Sequence, residues 1–353
     1  MLSLLENHSM STILNTLGID YPIIQAPMFG VTTPEMVAAA NKAGCLGSTA
    51  LGDLDYDSSL KIIRECKKLT SNTFAANIFV NHIPPISDEL KISYNRTKDY
   101  LYQLAEELHL DVELPEIEKI KPAGYHQQIE AILEENIKVL SFTFGNLDDA
   151  AIAQLKNNHV ILIGSCTSEK EAQLLINSGI DIICIQGIEA GGHRGSFDNE
   201  KLPQIGGISL LQNIREMTPL PLIYAGGIGR KKTMESLQIL GADAFQIGTL
   251  LLCSEESALT AFEKQRMLNV DEQEIMLTRS FSGRYARGIK NKFIDLFENS
   301  DYILPYPYQN KLTAPFRKAA RNAQLIEYIN LWTGQTFRNL SFESTTAILN
   351  KLK

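Results

Sequence analysis

The chain has 353 residues, 44% of them hydrophobic and 21% charged, so it is long enough to bury a large core in one big domain or in one domain plus a smaller one. Its formal net charge of −8 argues against a surface for nucleic acids or anionic membranes, while leaving room for a local basic pocket. The five cysteines are widely spaced and form no C-x-x-C pair, which is typical of reduced thiols rather than of disulfides or a metal site.

The sequence predicts a cytoplasmic protein without a membrane span. No uncharged apolar run approaches the ~18 residues of a spanning helix. Segment 1–17 also lacks the basic start and long apolar region of a secretion signal. Met10 is an alternative translation start, because residues 1–9 add nothing to the pattern of the helix that follows.

Short apolar runs alternate with helical patterns along the chain. Thr33 is a suitable N-cap for the first of these helices, Pro34 suits its first turn, and Gly44 ends it. The predicted strands cover residues 22–26, 45–51, 74–80, 139–144, 160–165, 182–186, 222–225 and 244–252. The predicted helices cover residues 36–43, 58–69, 94–108, 125–135, 148–156, 168–177, 209–217 and 230–240.

Eight strands with intervening helices is the count for a (β/α)8 TIM barrel, an α/β fold whose active residues gather at the C-terminal ends of the strands. The alternative is an open doubly wound sheet. That fold normally begins with a G-x-G-x-x-G turn, which is absent after the first predicted strand here.

The alternation breaks between residues 81 and 124, where the chain is polar and punctuated by prolines. An insertion of that length can carry its own structure and cover a site at the end of the strand that feeds it. We therefore predict a barrel of residues 10–80 and 125–277. A smaller, mainly helical lid or substrate domain is predicted for residues 81–124 and 278–353, with part of the C-terminal end free to pack back on the barrel.

Glycine-rich segments follow the last three predicted strands. Four glycines surround His193 between residues 187 and 195, Gly226 and Gly227 follow the seventh strand, and Gly248 lies in the eighth. Glycine lets the backbone adopt positive φ and approach a flat ligand without a Cβ in between. Because the loops after strands seven and eight of such barrels commonly bind phosphate, a phosphate-bearing cofactor is expected.

Taken together, these segments resemble the nitronate monooxygenase family, flavin-dependent barrels that oxidise alkyl nitronates with molecular oxygen. The matching motifs are 21–28 (Tyr-Pro-Ile-Ile-Gln-Ala-Pro-Met), 186–195 (Gln-Gly-Ile-Glu-Ala-Gly-Gly-His-Arg-Gly), 225–228 (Ala-Gly-Gly-Ile), 241–249 (Gly-Ala-Asp-Ala-Phe-Gln-Ile-Gly-Thr) and 281–288 (Phe-Ser-Gly-Arg-Tyr-Ala-Arg-Gly). The likeness covers roughly residues 17–337, and its most specific part is 189–195.

The resemblance implies FMN as the cofactor, and no His, Asp or Glu grouping in the sequence has metal-ligand spacing. The residues that it assigns to FMN are Gln25, Ala26, Pro27, Met28, Asn77, Gln186, Gly191, Gly192, Gly226, Gly227, Gln246, Ile247, Gly248 and Thr249. Amide side chains at Asn77 and Gln186 suit the edge of the flavin ring, whereas Gly227, Gly248 and Thr249 suit the phosphate. The alternative for Asn77 is a satisfied core amide in an apolar strand.

The resemblance also implies that His193 is the catalytic residue. An imidazole can take a proton from the carbon next to a nitro group or, when protonated, hold an anionic nitronate, and the sequence leaves that choice open.

In relatives the segment corresponding to 302–313 lines the substrate pocket. The candidates here are Tyr302, Tyr306, Tyr308 and Lys311. Their hydroxyls and ammonium group suit nitro or carboxylate oxygens, and the alternative is a proline-rich crossover whose tyrosines simply pack.

The expected reaction is FMN-dependent oxidation of alkyl nitronates, such as propionate 3-nitronate, by O2 to a carbonyl compound and nitrite, through one-electron transfer to the flavin. The expected partners are the nitronate and O2, with no nucleic acid or membrane; a homodimer stays open. One alternative is a flavin-dependent enoyl-ACP reductase using NAD(P)H, although that family typically has Gln-Gly-Gly-Met in place of residues 25–28. Another is a non-catalytic flavin-binding barrel, which would have no use for His193.

Overall fold

A computed structural model describes residues 12–353 of the chain, and the alternative start at Met10 lies outside them. Eleven strands are present in the described residues. In chain order they are β1 (Ile23–Gln25), β2 (Gly47–Gly52), β3 (Phe74–Phe79), β4 (Val139–Thr143), β5 (Ile161–Cys166), β6 (Ile182–Gln186), β7 (Gly192–His193), β8 (Leu222–Ala225), β9 (Ala244–Ile247), β10 (Ile275–Thr278) and β11 (Ala286–Ile289).

Eight of these strands form a parallel barrel, which confirms the predicted (β/α)8 fold. Their order in the sheet is β1-β9-β8-β6-β5-β4-β3-β2. Neighbouring strands of the barrel are therefore also consecutive barrel strands along the chain. The first and second strands close the ring, because Gln25 N donates a hydrogen bond to Leu46 O at 2.9 Å. The remaining strands form a small antiparallel sheet with the order β10-β11-β7.

Helices follow most barrel strands and cover the outside of the barrel. Thr33 caps the helix that begins at Pro34, as predicted, and its side chain accepts a hydrogen bond from Met36 N at 3.1 Å. The α-helices after β1 are Pro34–Lys42, Tyr56–Leu69, Asp88–Glu107, Tyr125–Glu134, Asp149–Asn157, Glu169–Asn177, Gly207–Met217, Lys231–Ile239, Ala261–Leu268, Lys292–Phe297, Tyr308–Asn322 and Thr345–Asn350. A helical segment over residues 12–17 precedes them, and in residues 12–353 no helix is long and apolar enough to cross a membrane.

Two predicted boundaries differ from the observed ones by more than two residues. The strand predicted over 244–252 ends at Ile247, and a single 3-10 turn, Thr249–Leu251, follows it. Its leucines are buried, and apolarity alone cannot separate a buried strand from a buried turn. The helix predicted from residue 94 begins at Asp88, because Ser87 caps it by accepting a hydrogen bond from Leu90 N at 3.2 Å.

Alternation along the barrel strands separates two apolar layers. In β6, Ile183 and Ile185 join the large cluster shared with the surrounding helices, whereas Ile182 and Cys184 join a second cluster. Successive residues of a strand point to opposite faces, so the second cluster fills the inside of the barrel. All four side chains are almost completely buried, which explains why the strand is continuously apolar.

The insertion and the tail share a hydrophobic cluster of their own. Tyr94 and Leu101 from the insertion pack in it with Phe293 and Phe316 from the tail, and all four are fully buried. The end of the chain instead returns to the barrel, where Thr346 Oγ1 donates to Ala39 O at 2.7 Å. We propose on this basis that residues 81–124 and most of 278–353 act as the lid domain predicted from the sequence.

Candidate active site

A cavity of about 520 Å³ lies between the C-terminal ends of the barrel strands and the tail helix Tyr308–Asn322. Active residues of such barrels lie at that end, so this is the candidate active site. The residues proposed from sequence that line it are Ala26, Pro27, Met28, Asn77, Gln186, Gly191, Gly192, His193, Gly226, Gly227, Gln246, Ile247, Gly248, Thr249, Tyr306 and Lys311.

The chain around His193 is fixed by two sets of hydrogen bonds. Strand β7 pairs with β11, with His193 opposite Ala286. From the end of β6, Gln186 Nε2 donates to His193 O at 3.0 Å, and its Oε1 accepts from Gly195 N at 2.9 Å. Both ends of the Gln186 amide are therefore engaged with the histidine loop, so this side chain holds His193 at the cavity wall.

The imidazole of His193 has one polar partner in the described residues. Its Nε2 lies 2.8 Å from Ser282 Oγ, and Ser282 Oγ donates to Arg284 O at 3.1 Å. Since the hydroxyl has a single proton and the Arg284 carbonyl accepts it, we assign the imidazole proton to Nε2. Nδ1 then carries the lone pair that can accept a proton.

The environment keeps His193 neutral. Its side chain lines the cavity and has two aromatic neighbours, with ring centroids 5.8 Å away for Phe144 and 5.5 Å for Trp332. Burial lowers the pKa of His193 to about 3, and the positive charges of Arg284 and Arg317 lower it further. At neutral pH the imidazole is thus a hydrogen-bonding group and a potential base rather than a cation.

The glycines on the cavity wall fit a flat, phosphate-bearing cofactor. Gly192, Gly226 and Gly227 have φ values of +69°, +116° and +67°, a region that other residues rarely adopt. A Cβ at Gly192 would meet no atom within 4 Å, so it would project into open space, and one at Gly248 would lie 3.3 Å from the Ala26 Cβ. The wall is therefore bare backbone on the side where the sequence predicted FMN.

The other predicted cofactor residues are placed as follows. Asn77 lines the cavity and is held by its Nδ2, which donates to Ser141 Oγ at 2.9 Å. Gln25 is fully buried behind the wall, and its Oε1 accepts from Ser48 N at 2.9 Å. Gln25 therefore supports the first strand, while its neighbours Ala26 to Met28 form the surface.

The predicted substrate residues divide into two pairs. Tyr302 stacks on Tyr100 at 4.3 Å, and the Tyr308 hydroxyl donates to Pro84 O at 2.7 Å, so both pack in the cluster shared by the insertion and the tail rather than in the cavity. Tyr306 lines the cavity, and its buried hydroxyl has no hydrogen-bond partner in residues 12–353. Lys311 also lines it and forms an ion pair with Asp53 at 2.6 Å.

The structure adds cavity residues that sequence reasoning missed. Ser282 was inside a matching motif but has no distinctive spacing of its own. Trp332 is the only tryptophan of the chain, which is a weak signal. Asp53 and Arg317 carry no motif, and they reach the cavity only through the fold of the β2 loop and the tail helix.

Comparisons with known proteins show the family of this chain. The model of the family described as nitronate monooxygenase matches residues 10–352. A protein named probable nitronate monooxygenase from Staphylococcus aureus is 36% identical over 339 residues, which are 95% of this chain and 94% of that protein. The chain belongs to the nitronate monooxygenase family. It is accordingly an enzyme, an oxidoreductase.

Two solved structures extend the comparison. Nitroalkane oxidase from Streptomyces ansochromogenes superposes with a TM-score of 0.86 at 30% identity, covering 96% of each chain. FabK from Thermotoga maritima superposes with a TM-score of 0.73 at 22% identity, covering 97% of this chain and 94% of that one. At that identity the second likeness shows the shared fold alone.

Proposed function

We propose that this member of the nitronate monooxygenase family oxidises alkyl nitronates with O2, using FMN, to a carbonyl compound and nitrite. The observation that carries the proposal is a neutral His193 facing a cavity walled by positive-φ glycines. The Streptomyces relative is a nitroalkane oxidase, which supports small nitro compounds or their anions as the substrate class.

Different residues of the chain have different roles in this proposal. Glycines 226, 227 and 248 with Thr249 would hold the FMN phosphate, and Asn77 would contact the ring. FMN, when bound, supplies the electron acceptor. His193 Nδ1 accepts the proton on the carbon next to the nitro group when the substrate arrives as a neutral nitroalkane.

Tyr306 is suited to bind the oxygens of the nitro group. Burial raises the pKa of Tyr306 well above its usual value, so the hydroxyl stays protonated and can donate. A buried hydroxyl without a partner is costly, and a nitro or nitronate oxygen would satisfy it. Lys311 is less available, because Asp53 already neutralises its charge.

A panel of nitronates tests the proposed reaction. We expect the FMN-loaded protein to consume O2 and release nitrite with propionate 3-nitronate and with simple alkyl nitronates. Oxygen electrode traces combined with a colorimetric nitrite assay measure both. Absence of nitrite with every nitronate, in a protein that holds FMN, would contradict the proposal.

The pH dependence of nitronate turnover should show no step from His193. Because the pKa of His193 is lowered to about 3, the imidazole is neutral throughout pH 6–9 and its charge state does not change there. Initial rates with freshly mixed, preformed nitronate should give a flat kcat/KM over that range. A decline in kcat/KM with a midpoint near 6.5 would instead mean that a protonated His193 is required.

A further inference from the structure

Four cations of the tail helix Tyr308–Asn322 line the cavity, and two of them form ion pairs. Lys311 Nζ lies 2.6 Å from Asp53 Oδ2, and Arg321 Nε lies 2.7 Å from Glu263 Oε1. Of the other two, Lys318 is exposed to solvent, whereas Arg317 is partly buried and has no carboxylate within ion-pair distance in residues 12–353. The cavity wall therefore carries a positive charge that the described protein does not balance.

Neutral groups hold the Arg317 guanidinium in place. Nη1 donates to Asn330 Oδ1 at 2.8 Å, and Nη2 donates to Asn310 Oδ1 at 2.8 Å and to Asn310 O at 3.0 Å. Its Nε is shielded from solvent and has no hydrogen-bond partner in the described residues. The planar group is thus oriented before any ligand binds, which is the arrangement that suits a bound oxyanion.

A partly buried guanidinium without a counter-ion is unfavourable, since burial removes part of the water that would otherwise stabilise its charge. Burial lowers the pKa of Arg317 to about 10, so the group is still charged at neutral pH. The same charge contributes to the low pKa of His193, which means that its field reaches the imidazole. A cation kept in this position is stabilised as soon as an anion enters the cavity.

We infer that Arg317 binds the anionic oxygen atoms of the substrate and is a specificity-determining residue that favours nitronates over neutral nitroalkanes. This inference rests on the proposed function for the identity of the substrate. It separates two roles that the sequence left open for one histidine: Arg317 supplies the positive charge, and His193 acts as the neutral base.

Nitrate is a suitable probe, because it is an unreactive planar oxyanion with the shape of a nitro group. We expect the FMN-loaded wild type to bind nitrate. Arg317→Gln should raise the dissociation constant roughly ten- to hundredfold, the usual range for the loss of a hydrogen bond to a charged group. Isothermal titration calorimetry measures this without any turnover. Arg317→Lys keeps the charge but loses the planar fork of donors, so it should weaken nitrate binding less than Arg317→Gln does.

Asn330→Asp tests the positive charge of Arg317 by a second substitution, which leaves Arg317 itself in the chain. A carboxylate in place of the Asn330 amide would lie beside Nη1 and neutralise the guanidinium, so nitrate binding should weaken as it does in Arg317→Gln. The control is Lys61→Gln, which removes one positive charge from an exposed position of helix Tyr56–Leu69, outside the cavity. Solvent screens that charge, so the change should stay below about threefold.

Kinetics supply the second readout. Arg317→Gln should lower kcat/KM roughly tenfold or more for a nitronate and less than about threefold for the corresponding nitroalkane. Nitrate binding within twofold of the wild type in both Arg317→Gln and Asn330→Asp would overturn the inference. So would loss of FMN from Arg317→Gln with retention in Arg317→Lys, because the anion would then be the FMN phosphate. If nitrate binding weakens as expected but no nitronate is oxidised, the anion site stands and the proposed function fails.

Discussion

Replacing His193 by Asn should abolish turnover of neutral nitroalkanes while leaving much of the turnover of preformed nitronates. A neutral nitroalkane must lose a proton from carbon, and a positioned base typically contributes ~10²- to 10⁴-fold to such a step. Asn keeps a hydrogen-bond donor but has no titrating nitrogen. Values of kcat/KM for nitroethane and for its nitronate, measured with the FMN-loaded variant, separate the two steps.

His126→Asn is the matched control for this substitution. His126 has an exposed side chain that contacts Asp148 on the outer helices, so both kcat/KM values should stay near those of the wild type. Equal losses on both substrate forms in His193→Asn would mean that His193 also binds the nitronate. Full activity on both forms would remove His193 from the mechanism.

Gly248→Asp should abolish retention of FMN. A Cβ at this position would lie 3.3 Å from the Ala26 Cβ, a tight contact, and it would place a carboxylate on the wall proposed for the phosphate. Two like charges about 4 Å apart in a poorly screened site repel by about 4 kcal/mol, roughly a thousandfold in affinity. The ratio of released FMN to protein after gel filtration, together with the dissociation constant for added FMN, measures the effect.

Gly124→Asp introduces the same residue where it should be harmless. A Cβ at Gly124 would meet no atom within 4 Å, and Gly124 is the N-cap of helix Tyr125–Glu134, where an Asp is favourable. This control should retain FMN fully. A Gly248→Asp variant that binds FMN as tightly as the wild type would place the phosphate elsewhere.

The barrel was predictable because its signals are local. Strands β6 and β8 were predicted at their observed bounds, since each is a short buried apolar run with polar or proline residues before it. The predicted strand 244–252 failed at Gly248, where the backbone turns, although the leucines that follow are buried. The sequence shows that the residues after Gly248 are apolar leucines. Whether they form a strand or a turn depends on their packing in the folded barrel.

The candidate site was predictable where glycine imposes a backbone shape or a motif is shared with the family. The tail was not, because its residues reach the cavity through long-range packing. Tyr302 and Tyr306 lie four positions apart in the same aromatic segment, yet one stacks on the insertion and the other faces the cavity. The pairing of Lys311 with Asp53 and the lack of an acid beside Arg317 depend on contacts between distant parts of the chain.

Anaerobic mixing of the FMN-loaded protein with a preformed nitronate or with NADH tests the central claim most directly. We predict a rapid change in flavin absorbance with the nitronate, no comparable change with NADH, and nitrite release when O2 is admitted. The opposite result is informative, because the sequence left a flavin-dependent enoyl-ACP reductase open as the alternative. Rapid loss of flavin absorbance with NADH and no response to any nitronate would contradict this account and support an enoyl reductase.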